Sequence, residues 1–160
     1  MGNERRRGSF IKAVEVFPPV FPRTPRGESS LDLGAEQSRF VQAVEPVAGI
    51  ADYVLVADLK DPSVLKLSSL HSAALLKAKL KVRAVPVITA RDANRPAVTA
   101  SVLTAFALGL ESLFLVWGDR FGGAGDPKNV YDFRSLSEVI AEARSLADRA
   151  HVDGGWRVAG

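Results

Sequence analysis

The chain of 160 residues contains no cysteine. Disulfides, thiolate metal centres and cysteine nucleophiles are therefore excluded, and no metal site is expected. Nor is there an apolar run near the ~20 residues that a membrane-spanning helix needs. A secretory pattern is missing as well: Arg5-Arg6-Arg7 is followed by only a short apolar stretch and then by Pro18-Pro19. The expected location is the cytoplasm, with no membrane partner. Phosphate-loop signatures are absent too. The segment "WGDRFGGAGDPKNVYDF" (117–133) is not followed by G-K-[ST] and is not a G-x-G-x-x-G that opens a helix. Charge is nearly balanced, with 21 basic and 18 acidic residues and a net charge of +3. The one basic cluster, Arg5–Arg7, has no accompanying aromatic-and-basic face. Residues 1–9 read as a solvated basic tail, and no nucleic-acid partner is expected.

What is present is a regular alternation. "FIKAVEVF" (10–17), "DYVLVAD" (52–58), "VRAVPVITA" (82–90) and "SLFLVWG" (112–118) are short, nearly continuous apolar runs that read as strands, and "GWRVAG" (155–160) reads as a fifth. Helices are expected between them. One runs from Ala35 with Phe40, Val41, Val44 and Val47 on one face; others cover 68–79, 95–109 and 135–150. Ser135 with Glu138 forms a capping-box pattern, and Gly109 is a helix stop. The Pro-rich stretch "PPVFPRTPRGESSLDLG" (18–34) is expected to be a long loop. Residues 10–160 thus form a single α/β domain of parallel βα repeats, compatible with a doubly wound sheet or with part of a (β/α)8 TIM barrel.

Both architectures place chemistry at the carboxyl ends of the strands. Those ends carry Glu15, Asp58, the stretch Thr89-Ala90-Arg91-Asp92, and Asp119. Glu15 interrupts an apolar strand. It either faces a polar edge or lies buried as a general acid, since burial favours the protonated carboxyl. In "VITARDANR" (87–95), Asn94 reads as a helix cap before Pro96; this leaves Arg91 and Asp92 unexplained, though an ion pair at the rim would cover them. Gly118-Asp119 has two readings. Asp119 either caps the amides of its own loop or is a site residue, with Gly118 lacking a Cβ so that a flat ring can approach.

Taken in order, "VEVFPP", "ITARDANR", "ALGLESLFLVWGD" and "GDPKNVYDFRSL" resemble the flavin-dependent methylenetetrahydrofolate reductases, and most closely a divergent bacterial and archaeal branch whose third-strand motif is similar to L-T-x-R-D-x-N-R. The resemblance runs from about Phe10 to Gly160. It implies the first half of a TIM barrel, with FAD at the strand carboxyl ends passing hydride from NADH or NADPH to a methylene-folate-type pterin. It implies Glu15 and Asp119 as catalytic residues, Glu15 as the general acid. It also implies Thr89, Gly118, Asp119 and Tyr131 as cofactor-binding residues. Three positions depart from the pattern: Val87 stands where many relatives have His, Trp117 where many have Arg, and Ala57-Asp58 where a Thr is frequent. A half barrel leaves strand edges to be covered by self-association or by a partner chain. The alternative to an enzyme is a non-catalytic half-barrel subunit or fragment that pairs with another chain.

Overall fold

Residues 10–22, 31–59, 61, 64–123, 128–150 and 157–159 are described by the computed structural model of the chain. The arginine cluster at 5–7 and Gly125 lie outside them. Five strands form one parallel sheet: β1 (Ala13–Val16), β3 (Tyr53–Val56), β5 (Ala84–Thr89), β6 (Ser112–Val116) and β7 (Arg157–Ala159). Each pairs with its predecessor in the chain, so the order β1-β3-β5-β6-β7 contains no reversal. A doubly wound sheet has such a reversal; among the described residues this one does not.

Four helices connect these strands: α1 (Leu33–Ala48), α2 (Ser69–Leu80), α3 (Arg95–Ala107) and α4 (Leu136–Arg149). Their starts follow from local side-chain chemistry. Asp32, Ser68, Asn94 and Ser135 each accept a hydrogen bond from the amide three residues on, as helix caps do. The expected capping box at Ser135 is modified. Glu138 reaches back not to Ser135 but to the amide of Arg134, at 2.7 Å. The stops are equally local. Lys81 and Gly109 take left-handed backbone, at φ 57° and 65°, behind α2 and α3.

All four helices join one core on a single face of the sheet. Phe40 and Val44 from α1, Leu76 from α2, Val102 from α3 and Val139 from α4 meet Val54, Val56, Ile88, Leu113 and Leu115 from the strands. Each fully buried Leu or Val contributes about 1.5–3 kcal/mol of transfer free energy. The other face carries Glu15 and Leu55 as register partners, then Val85, Val87 and Phe114. Val85 and Val87 are buried there, Leu55 and Phe114 half-buried, and Glu15 on the edge strand is exposed. Continuous apolar strands are usual where both faces are buried, and here the helices account for one.

One expectation is corrected. The Pro-rich segment is not all loop: Val20–Pro22 form β2, which pairs antiparallel with β4 (Val64–Lys66). Phe21 is buried there. Three residues between prolines carry no readable period, and the partner strand lies more than forty positions away. No helix among the described residues is long and apolar enough to cross a membrane.

Candidate functional site at the carboxyl ends of the strands

The ends of β3, β5 and β6 lie side by side and are knitted together beyond the strands proper. Ala90 and Arg91 donate their amides to the carbonyls of Val116 and Trp117, at 2.9 and 3.1 Å, which prolongs the β5–β6 ladder to the rim. Asp58 follows β3 and bridges three elements. One carboxylate oxygen accepts from Lys66 Nζ of β4 at 2.9 Å, and the other accepts from the Thr89 amide of β5 at 3.2 Å. The small antiparallel pair is thereby tied to the main sheet.

Gly118 is demanded twice by the local geometry. Its φ of 86° disfavours any side chain, and a Cβ there would lie 2.4 Å from Thr89 Cγ2 and 3.0 Å from Arg91 Cβ. The sequence suggests that the missing Cβ admits a flat ring. In the structure that direction is filled by Thr89 and Arg91, so the glycine first serves close packing between β5 and the loop. The Gly118 carbonyl accepts from the Tyr131 hydroxyl at 3.0 Å. Tyr131 stacks on Trp117, with centroids 4.7 Å apart and planes 14° from parallel. Tyr131 therefore braces the Gly118 turn from behind and does not line the cavity beside it.

The rim ion pair expected of Arg91 and Asp92 is present. Arg91 is only 5% exposed; its Nε donates to Asp92 Oδ2 at 2.7 Å, and its guanidinium lies 3.8 Å from the centre of the Phe121 ring. Asp92 adopts left-handed backbone, φ 63°. From there its amide donates to the Val130 carbonyl at 2.8 Å, and its second oxygen accepts from the Val130 amide at 3.3 Å. Asn94 caps α3 as expected, accepting from Ala97 at 2.9 Å.

Between these parts lies a cavity of about 360 Å³. Thr89, Gly118 and Asp119 line it together, with Val87 and Val116 as apolar wall and Arg91 and Asp58 as charged wall. Asp119 is exposed. Among the described residues its carboxylate accepts no amide of its own loop. That loop is closed instead by Asn129, whose side chain accepts from the Phe121 amide at 2.7 Å and donates to the Phe121 carbonyl at 3.0 Å. Glu15 stands apart. It is exposed on the helix-free face, opposite Leu55 in register, and it does not line the cavity, which β1 reaches through Phe17. Of its two readings, burial is not what the described residues provide: Glu15 is on the edge strand β1 and exposed, whereas Val85 and Val87 on the same face are buried.

Three contributors escaped the sequence reading of the site. Asp58 was visible as a strand-end carboxylate but not as a clamp. Trp117 stood out only as a departure from the family pattern and Asn129 gave no signal, since their partners lie eight or more positions away. Comparison of the sequence with protein-family models and with curated proteins finds no match. No group of three or more His, Cys, Asp or Glu among the described residues is arranged to hold a metal ion.

One further cluster supports the rim from outside. Arg95 at the start of α3 donates to Glu138 at 2.6 Å and to Glu142 at 3.2 Å, and lies over Phe133 at 4.3 Å. The Arg134 amide and then the Arg95 guanidinium hold the Glu138 carboxyl below the usual glutamate range, and the Glu138 bond raises Arg95 in turn.

Proposed function

We propose that the carboxyl-terminal edge of the sheet is the flavin- and pterin-binding edge of a reductase of the methylenetetrahydrofolate type, and that the five strands are an arc of a (β/α)8 barrel. One observation carries the reading: Thr89 at the end of β5 lines one cavity with Gly118 and Asp119, which follow β6, and Tyr131 is bonded to Gly118. The donor set suits a heteroaromatic ring with a hydrogen-bonding edge. Val87 and Val116 offer an apolar wall, and Asp119 is an acceptor with no loop amide bound to it among the described residues. FAD bound there would supply hydride transfer from a reduced nicotinamide to the methylene carbon of a folate.

The chain's own residues then have distinct tasks. Asp119 accepts hydrogen bonds from the amino-pyrimidine edge of a pterin. Arg91, held by Asp92 and Phe121, keeps a positive charge at the cavity wall without moving. Tyr131 and Trp117 fix the Gly118 turn and so aim Asp119. Glu15, on the helix-free face, donates a proton once that face is enclosed. The sequential strand order supports the barrel arc, as do helices on one face only and an apolar opposite face. A second copy or a partner chain would complete the enclosure. The apolar helix-free face also favours a second reading, a non-catalytic half-barrel that pairs with another chain.

Flavin absorbance of the purified protein, together with its native mass, separates these readings. A yellow assembly with bound flavin supports the reductase; a colourless one of defined larger mass supports the pairing module. Within a flavin-bearing assembly, Asp119→Asn is expected to change stability by less than about 0.5 kcal/mol, because among the described residues no amide of its own loop is bonded to it. It should weaken flavin or pterin binding, or shift the flavin potential. Unchanged binding and potential would reduce Asp119 to a turn residue.

A further inference from the structure

At the opposite edge, where the helices hand the chain back to the strands, lies a larger cavity of about 660 Å³. It is bounded by the last turn of α2, the starts of β3, β5 and β6, and the turn after α3. Five steps of β5 separate its base at Ala84 from Thr89, about 16 Å along an extended strand. Four ionisable side chains other than tyrosine line it: Lys77, Lys81, Arg83 and Glu111.

The three cations are not equivalent. Lys77 Nζ donates to the Gly109 carbonyl, which ties α2 to the end of α3. Cations near the carboxyl end of a helix are ordinary, since the last carbonyls carry partial negative charge. That accounts for Lys77 and for the neighbouring Lys79. Lys81 is the cap residue itself, next to the same carbonyls, whereas Arg83 lies two residues beyond the cap and is not accounted for in this way. The Arg83 guanidinium sits 5.8 Å from the centre of the Tyr53 ring. Among the described residues neither Lys81 nor Arg83 pairs with a carboxylate. Lys81 also holds the left-handed position that closes α2, φ 57°, where glycine is the unstrained choice. A strained cation at the mouth of a concave site with a net positive lining is an observation that helix closure alone does not require.

We propose that this cavity binds a phosphoanion, the diphosphate or polyphosphate group of a small molecule, held by Lys81 and Arg83 with Lys77 at the back. Glu111 limits the site to ligands whose charge outweighs one carboxylate, so a diphosphate suits it better than a monoanion. Guanidinium and ammonium donors both form charge-assisted bonds to phosphate oxygens, and the Tyr53 ring beside Arg83 orients the fork. The site is independent of the flavin reading, because it shares no lining residue with the carboxyl-terminal cavity.

Calorimetric titration with inorganic pyrophosphate, at constant ionic strength, tests the assignment. The unaltered chain should bind saturably. Lys81→Gly deletes the cation while keeping the left-handed turn, so it leaves the fold intact; Arg83→Gln keeps a polar side chain at its position. Each should weaken pyrophosphate by about tenfold or more. Lys79→Gln, an exposed neighbour that does not line the cavity, should leave the affinity within about twofold, as expected of a remote surface charge. Absence of saturable binding overturns the proposal. So does undiminished binding in both Lys81→Gly and Arg83→Gln, or an equal loss in Lys79→Gln, which would mark general charge attraction.

Discussion

At the carboxyl-terminal edge Asp58, Arg91 and Asp92 are each bonded to a neighbour, and Gly118 is wedged against Thr89. At the amino-terminal edge Lys81 and Arg83 face a cavity and pair with no carboxylate among the described residues. The first edge is organised before any ligand arrives, at the cost of two left-handed residues, Asp92 and Gly118. The second has one such non-glycine residue, Lys81, and leaves Lys81 and Arg83 exposed. The difference teaches that burial of a charge and readiness to bind are separate properties. Arg91 is buried because its own ion pair and the Phe121 ring satisfy it, and it serves first to hold the loop. Exposed Lys81 and Arg83 have no carboxylate partner among the described residues.

The sharpest way to break the contrast is Gly118→Ala. The added Cβ meets Thr89 at 2.4 Å in a backbone region that L-residues avoid. A loss of about 3 kcal/mol is expected in chemical denaturation. A loss below about 1 kcal/mol would mean that the rim yields easily and is not preorganised. Next comes Asp58→Ala. It strands the Thr89 amide and the Lys66 ammonium, and about 2 kcal/mol should be lost. Hydrogen exchange at the Thr89 amide should rise in the same variant; unchanged protection would show that the clamp is dispensable.

The smallest effect concerns pH. Because Glu138 titrates below the usual glutamate range when folded, its contribution is fully present above the unfolded value and is lost as pH falls through the depressed folded value. Thermal midpoints should therefore drop between about pH 5 and pH 3, and Glu138→Gln should flatten part of that drop. Both side chains are about a third exposed, at 37% and 34%, so the change is modest and shrinks with added salt. An unaltered acid limb in Glu138→Gln would remove the cluster from the account of the rim.

Much of the fold was legible because its signals act over a few residues. The caps Asn94 and Ser135 bond to amides three positions on, and the apolar spacing of Phe40, Val44 and Val47 repeats within two turns. The strand ends that carry Thr89 and Asp119 followed from the same local periods. The pairing of β2 with β4 was not legible, and neither was the choice between the two readings of Glu15, because each depends on what lies across space from a short segment.

The alternation of strands and helices, the helix boundaries to within a few residues and the gathering of polar groups at one sheet edge were determined by the sequence itself, through periodicity and capping. Only the tertiary structure decided what those groups do. It turned Asp58 into a clamp on Thr89 across 31 positions, joined Asp92 to Val130 across 38, and set the Gly118 backbone against Thr89 so that no side chain fits. The reason is physical. A cap or an apolar stripe is an energy between near neighbours in the chain, whereas a clamp, a close approach or a cavity is an energy between groups that meet only after the sheet has formed.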